Sequence, residues 1–153
     1  MDNFEIVELT PQTTAVVRAT VAWADLKSLF DRGFREVFTT VAAQGGQLAG
    51  APFGYYPTTP GETVTVEVGA PVTAPITAAG DVTPGELPGG RAVHTMHVGS
   101  YDDLPRTYEA IGTWAKEQGH TLATAMWETY LDDPSAVTDP ATLRTEIHWL
   151  LAD

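Results

Sequence analysis

Apolar and polar positions along this chain follow two periods, and the switches between them mark out its elements. From Thr13 to Val21 the run TTAVVRATV is short and rich in β-branched residues, which predicts a strand; Gly90 to Val98, GRAVHTMHV, reads the same way and shares its Ala-Val pair. A helical pattern follows each. Leu26, Phe30, Phe34, Val37 and Val41 recur at three- and four-residue intervals, as do Leu104, Tyr108, Ile111 and Ala115. Both helices are expected to lay an apolar stripe on a sheet. Ser100 and Asp103 form a variant capping box at the start of the second helix, and Gly119 closes it as Gly45-Gly46 closes the first.

The pattern then repeats itself. QLAGAPFGYY, 47–56, aligns without gaps on TLATAMWETY, 121–130. The offset is about 78 residues at the helix starts and 74 after the helices, so the first helix should be longer by about one turn. Each half ends in another strand, TVTVEVGAPV (63–72) and LRTEIHWLL (143–151), and each is preceded by a short extended stretch, FEIVEL (4–9) and DVTPGEL (81–87). The expectation is one α+β domain over 1–153, built from two βαββ repeats at about 4–72 and 85–151 with a linker at about 73–84. Its antiparallel sheet should carry two long helices about a pseudo-two-fold axis, with a central cleft on that axis.

Composition narrows the function classes. A chain of 153 residues suits one domain, contains no cysteine, and so excludes disulfides, thiolate metal sites and cysteine nucleophiles. No apolar run reaches the ~18 residues of a membrane span, and MDNFEIVEL lacks the features of a signal peptide, so a soluble, cytoplasmic chain is expected. Residues 1–20 already belong to the first βαββ unit, which leaves no helix-turn-helix and makes the expected protein a stand-alone one. With 20 acidic and 8 basic residues, the formal charge of -12 repels a phosphate backbone. Direct nucleic-acid binding is therefore not expected, whereas a cationic small molecule or a basic protein face is favoured. No phosphate-cradling loop, nucleophile elbow or metal-binding helix pair is present, so no cofactor is expected. His94 and His97 lie three apart on a predicted strand, hence on opposite faces, and no metal site is expected either.

Glu128 is the residue that demands an explanation. It sits mid-strand in AMWETY, where alternation puts Met126, Glu128 and Tyr130 on one face and Trp127, Thr129 and Leu131 on the other. Through the internal alignment Gly54 is the counterpart of Glu128, and Tyr56 of Tyr130. A glycine facing a glutamate across the axis leaves room for a ligand and supplies one charge. On the residues alone two readings stand: an exposed carboxylate on a solvated face, or a buried acid that a cation relieves.

The segments LPGGRAVHTMHVGSYDDLPRTYEAIGTW, WETYLDDP and EIHWLL, in this order, resemble the GyrI-like small-molecule-binding family. That family includes effector-binding domains of AraC-type and MerR-type bacterial regulators that respond to many drugs. The family's tryptophan-glutamate-x-tyrosine strand maps onto Trp127, Glu128 and Tyr130; Leu150 departs from it, standing where a proline is common. The resemblance implies an aromatic-walled pocket for lipophilic, cationic or aromatic compounds, with Glu128 as buried acid. Candidate ligand-binding residues are then Glu128, Trp127, Tyr130, Gly54, Tyr56, Met126 and His148, with Tyr101 and Trp23 flanking the cleft ahead of the two helices. Some family members are hydrolases of cyclopropane-bearing genotoxins, which gives a second reading with Glu128 as general acid or base beside Tyr130. Gyrase inhibition, from which the family takes its name, gives a third: a module that binds a protein partner.

Overall fold

A computed structural model describes residues 3–133 and 136–152. The elements follow the order expected: β1 (Glu5–Leu9), β2 (Gln12–Ala22), α1 (Leu26–Ala43), β3 (Phe53–Tyr56), β4 (Thr63–Pro71), β5 (Val82–Leu87), β6 (Gly90–Val98), α2 (Leu104–Glu117), β7 (Leu122–Tyr130) and β8 (Arg144–Leu151). The fold is α+β: all eight strands form one antiparallel sheet in the order β1-β6-β8-β7-β3-β4-β2-β5. Helix α1 has 18 residues and α2 has 14, the one-turn difference read from the offsets. Among the described residues no helix is long and apolar enough to cross a membrane.

The two helices cover one face of the sheet. Under α1 lie Ala15, Val17, Val66, Val68 and Ala70; under α2 lie Val93, Met126 and Ile147, and Tyr56 packs against both clusters. Gly33 explains how closely α1 approaches: a Cβ there would stand 2.9 Å from Val68 Cγ1. The apolar stripe of α1 differs from the one expected. Leu29, Gly33, Val37 and Val41 are buried against the sheet, while Phe30 and Phe34 point along a second, neighbouring stripe. At α2 the expected capping box is displaced. Ser100 accepts from the Asp102 amide at 3.2 Å and so caps a 3-10 turn, Tyr101–Asp103, that precedes the α-helix.

The outer strands show what the pattern of elements could not. Only Thr10 and Pro11 separate β1 from β2, yet β1 pairs with β6 at one edge and β2 lies beside the other edge. Pro88 and Gly89 make the reciprocal link between β5 and β6. Two residues span at most about 11 Å between flanking Cα atoms, so the sheet must curl until its edges nearly meet. The links touch where they cross: a Cβ on Gly89 would stand 2.7 Å from Pro11 Cδ. Beneath them, on the concave face away from the helices, Val16, Phe53, Leu87 and Trp127 form a separate small core.

Candidate functional site

Strands β3 and β7 pair at the middle of the sheet, with Gly54 directly opposite Glu128, Tyr56 opposite Met126 and Tyr55 opposite Trp127. Glu128, Met126 and Tyr130 therefore point toward the helices, as alternation requires. Glu128 is only 6 % exposed. The Tyr130 hydroxyl donates to its Oε1 at 2.6 Å, and among the described residues no basic side chain pairs with it. Burial lifts the Glu128 carboxyl from 4.5 to about 7, and the Tyr130 hydrogen bond opposes only part of that rise. The exposed-charge reading is thus excluded. The surrounding phenols respond to the same environment: burial first, then the Glu128 charge, raises the pKa of Tyr56, Tyr130 and Tyr101.

Aromatic rings enclose the Tyr130–Glu128 pair. Tyr101 from the turn before α2, and Phe30 and Phe34 from α1, stand 5.8, 5.9 and 6.1 Å from the Tyr130 ring, each edge-on or steeply tilted. The room that Gly54 was expected to leave is filled. A Cβ at Gly54 would lie 2.7 Å from Phe30 Cζ and 3.1 Å from the Tyr130 hydroxyl. On the same face Thr95 and Thr145, the latter opposite Tyr130 in register, bury hydroxyls with no hydrogen-bond partner among the described residues. Phe30 and Phe34 are the residues that sequence reasoning missed, because they were counted in one stripe with Val37 and Val41. The signal was present: Phe30, Phe34 and Phe38 form an all-aromatic series at four-residue spacing, and the Phe34 and Phe38 rings stack at 6.2 Å.

Three expected residues lie elsewhere. Trp127 and His148 do not share a site with Glu128. They face each other across β7 and β8 on the concave face, their rings stacked at 5.3 Å. The reason is register: Ile147 is the residue opposite Glu128, which sends both of its neighbours, Glu146 and His148, to the other side. There, with Phe53 and Thr129, they line a cavity of about 180 Å³ beneath the crossing links. Burial and the nearby His94 lower the His148 pKa to about 4. Trp23 is 52 % exposed, and its indole N–H donates to the Gly61 carbonyl at 2.8 Å.

The site brought together is thus Glu128, Tyr130, Tyr56, Met126, Gly54 and Tyr101, joined by Phe30 and Phe34. Chemically it offers one buried, proton-binding carboxylate inside a wall of ring faces and edges. Such a wall suits a cation with apolar bulk, because ring faces attract cations and no basic side chain among the described residues offsets the carboxylate.

Known structures share the architecture. The C-terminal domain of EcmrR superposes with a TM-score of 0.86 at 21 % identity, over 100 % of this chain and 99 % of that one. SAV2435, in a structure bound to tetraphenylphosphonium, gives 0.67 at 12 % identity over 97 % and 93 %. A hydrolase from Listeria innocua gives 0.65 at 12 % identity over 98 % and 92 %. At these identities the likeness is one of fold. Among curated proteins none matches the chain. The GyrI-like small molecule binding domain matches residues 2–152, nearly the whole length, and the chain belongs to that family.

Proposed function

We propose that this protein binds a lipophilic organic cation between α1 and α2, over Glu128, and so senses or sequesters it. The observation that carries this reading is the buried Glu128 carboxylate, hydrogen-bonded to Tyr130 and walled by Phe30, Phe34 and Tyr101, with no basic partner among the described residues. An ionised carboxylate in such surroundings costs several kcal/mol, and a cation with aromatic bulk relieves that cost while gaining roughly 0.5–2 kcal/mol per well-placed ring. The ligand takes the place of the Phe30 ring edge over Gly54. The family's description as small-molecule-binding supports the reading, as does the structural neighbour that holds tetraphenylphosphonium.

Tetraphenylphosphonium and the neutral triphenylphosphine oxide are the probes for its test, titrated into wild type and Glu128→Gln. A ligand at a hundred times its Kd raises stability by about 2.7 kcal/mol, which thermal unfolding reads directly. The expected result is stabilisation by the cation only, lost in Glu128→Gln. Equal response to both probes, or a Glu128→Gln variant that binds the cation unchanged, removes the counter-ion role.

A second reading rests on the same carboxyl. With its pKa near 7 it exchanges a proton at neutral pH, as a general acid or base in hydrolysis of an electrophilic compound does. A structural neighbour that is a hydrolase supports keeping it. Product formed beyond one equivalent, abolished by Glu128→Gln, separates catalysis from sequestration.

A further inference from the structure

The concave face carries a second cluster with chemistry of its own, back to back with Glu128. His94 on β6 and Glu146 and His148 on β8 converge there. His94 Nε2 lies 3.5 Å from Glu146 Oε1, His148 Nε2 lies 3.6 Å from the same oxygen, and the three donor atoms all fall within 4.8 Å of one another. The two nitrogen–oxygen separations are long for hydrogen bonds but close to what a metal centre needs: four donors at about 2.1 Å in a tetrahedron stand about 3.4 Å apart. We propose that His94, Glu146 and His148 bind one first-row divalent cation of the zinc class.

Four observations support the assignment. The first is tautomer control. Glu5 Oε1 sits 2.9 Å from His94 Nδ1, so a proton held there leaves the Nε2 lone pair aimed at Glu146, the carboxylate–histidine–metal arrangement of many metal sites. The second is that His148 is poorly satisfied by protein: Nδ1 is buried with no partner among the described residues, and Nε2 is beyond hydrogen-bond reach of Glu146. A cation between Nε2 and Oε1 supplies what the Nε2 side lacks. The third is rigidity, since the donors stand on adjacent strands with His94 directly opposite His148, and Trp127 stacks on the His148 ring. The fourth is access and charge: Glu146 and His148 line the cavity that also meets Trp127 and Phe53, and a net charge of -12 concentrates cations around the molecule. Two nitrogens and one carboxylate oxygen match zinc and its neighbours rather than calcium or magnesium. Three protein donors leave a further position for water or a ligand atom.

The pairing escaped sequence analysis because it joined the wrong histidines. His94 and His97 share a strand but not a face, and His97 is spent on Thr107 and the Ser100 carbonyl at 2.7 and 2.9 Å. The partner of His94 lies 54 residues further along the chain, on the neighbouring strand.

The test is zinc chloride titrated into the full chain after chelator treatment, followed by calorimetry, with circular dichroism to verify each variant's fold. The expected result is one equivalent bound with Kd below about 0.1 mM. Glu146→Gln should weaken it by more than about tenfold, and Glu5→Ala, which removes the acceptor for the His94 Nδ1 proton, by about tenfold. Cobalt substitution should give the visible bands of a four-coordinate site in wild type, lost in Glu146→Gln. Wild type binding zinc no tighter than that limit overturns the proposal, as does binding unchanged in the folded Glu146→Gln or His94→Gln variants. Neither result bears on Glu128, which faces the other way.

Discussion

Gly54 and Glu128 stand opposite each other on the two middle strands of the sheet, and the ring edge of Phe30 occupies the space that the glycine leaves. The pair sets the character of the site: one position contributes a carboxylate, the other contributes only volume. In this structure the volume is held by a side chain of α1. A ligand that reaches Glu128 must displace that ring, so affinity depends on how readily Phe30 turns as well as on the charge.

Replacing Gly54 by alanine tests this arrangement. The added methyl would meet Phe30 Cζ at 2.7 Å, and the ring, being the far end of a side chain, must swing away. The expected cost is about 1 kcal/mol in urea unfolding, with weaker tetraphenylphosphonium binding. Phe30→Leu, harmful alone, should recover most of the loss when combined with Gly54→Ala. Additive effects in the double variant would show that the two positions do not compete for one space.

Glu128 gives stability a characteristic pH dependence. Its folded pKa, about 7, lies above its unfolded value of 4.5, so between these limits the folded state holds more protons. Its contribution is fully present below pH 4.5 and is lost as pH rises through about 7, a change of roughly 3 kcal/mol. His94, with its pKa raised mainly by Glu146, slopes the same way, and His148, lowered to about 4, slopes the opposite way. Only a difference isolates Glu128: wild type minus Glu128→Gln, by chemical unfolding at pH 5 and pH 8. Wild type should lose the extra increment at pH 8, and parallel curves would place the carboxyl in a wetter setting than the structure gives it.

Tyr130→Phe removes the hydrogen bond that favours the charged carboxylate. The Glu128 pKa should then rise further, read as the midpoint of its side-chain carboxyl resonance in carbon-13 NMR. Stability at pH 8 should fall by about 1–3 kcal/mol, because a carboxylate loses its donor. An unmoved midpoint would mean that the phenol and carboxyl are not coupled.

Gly33→Ala opposes two effects of known sign. Alanine favours a helix over glycine by about 1 kcal/mol, but its methyl would press on Val68 Cγ1 at 2.9 Å beneath the helix. Overpacking at a rigid, fully buried strand residue costs about 1–3 kcal/mol, so net destabilisation is expected. A higher Tm would mean that α1 lifts off the sheet at little cost.

These features differ in how far the chain reveals them. Alternation along Met126–Tyr130 put Glu128 and Tyr130 on one face, and the internal alignment found Gly54, because both depend on order within one strand or on likeness between segments. Register between strands is not written in either. Matching the Ala-Val pairs sets Ala15 against Ala92, yet the residues under the helices are Ala15 and Val93. The slip is one residue, and one residue exchanges the faces of a strand. The same uncertainty assigned His148 to the wrong side and left His94 and Glu146 apart. Phe30 and Phe34 were hidden differently: a helix eighteen residues long has room for two stripes, and periodicity alone does not say which one meets the sheet.

The crossing of the two links at Pro11 and Gly89 bears on how the protein is made. During synthesis β1 is made well before its partner β6, at residues 90–98. Until then β1 lacks the strand it pairs with, and one edge of β2, whose other edge β4 covers, waits for β5. The closure of the sheet through β1 and β6 is therefore a late event that a stop anywhere before β6 would prevent.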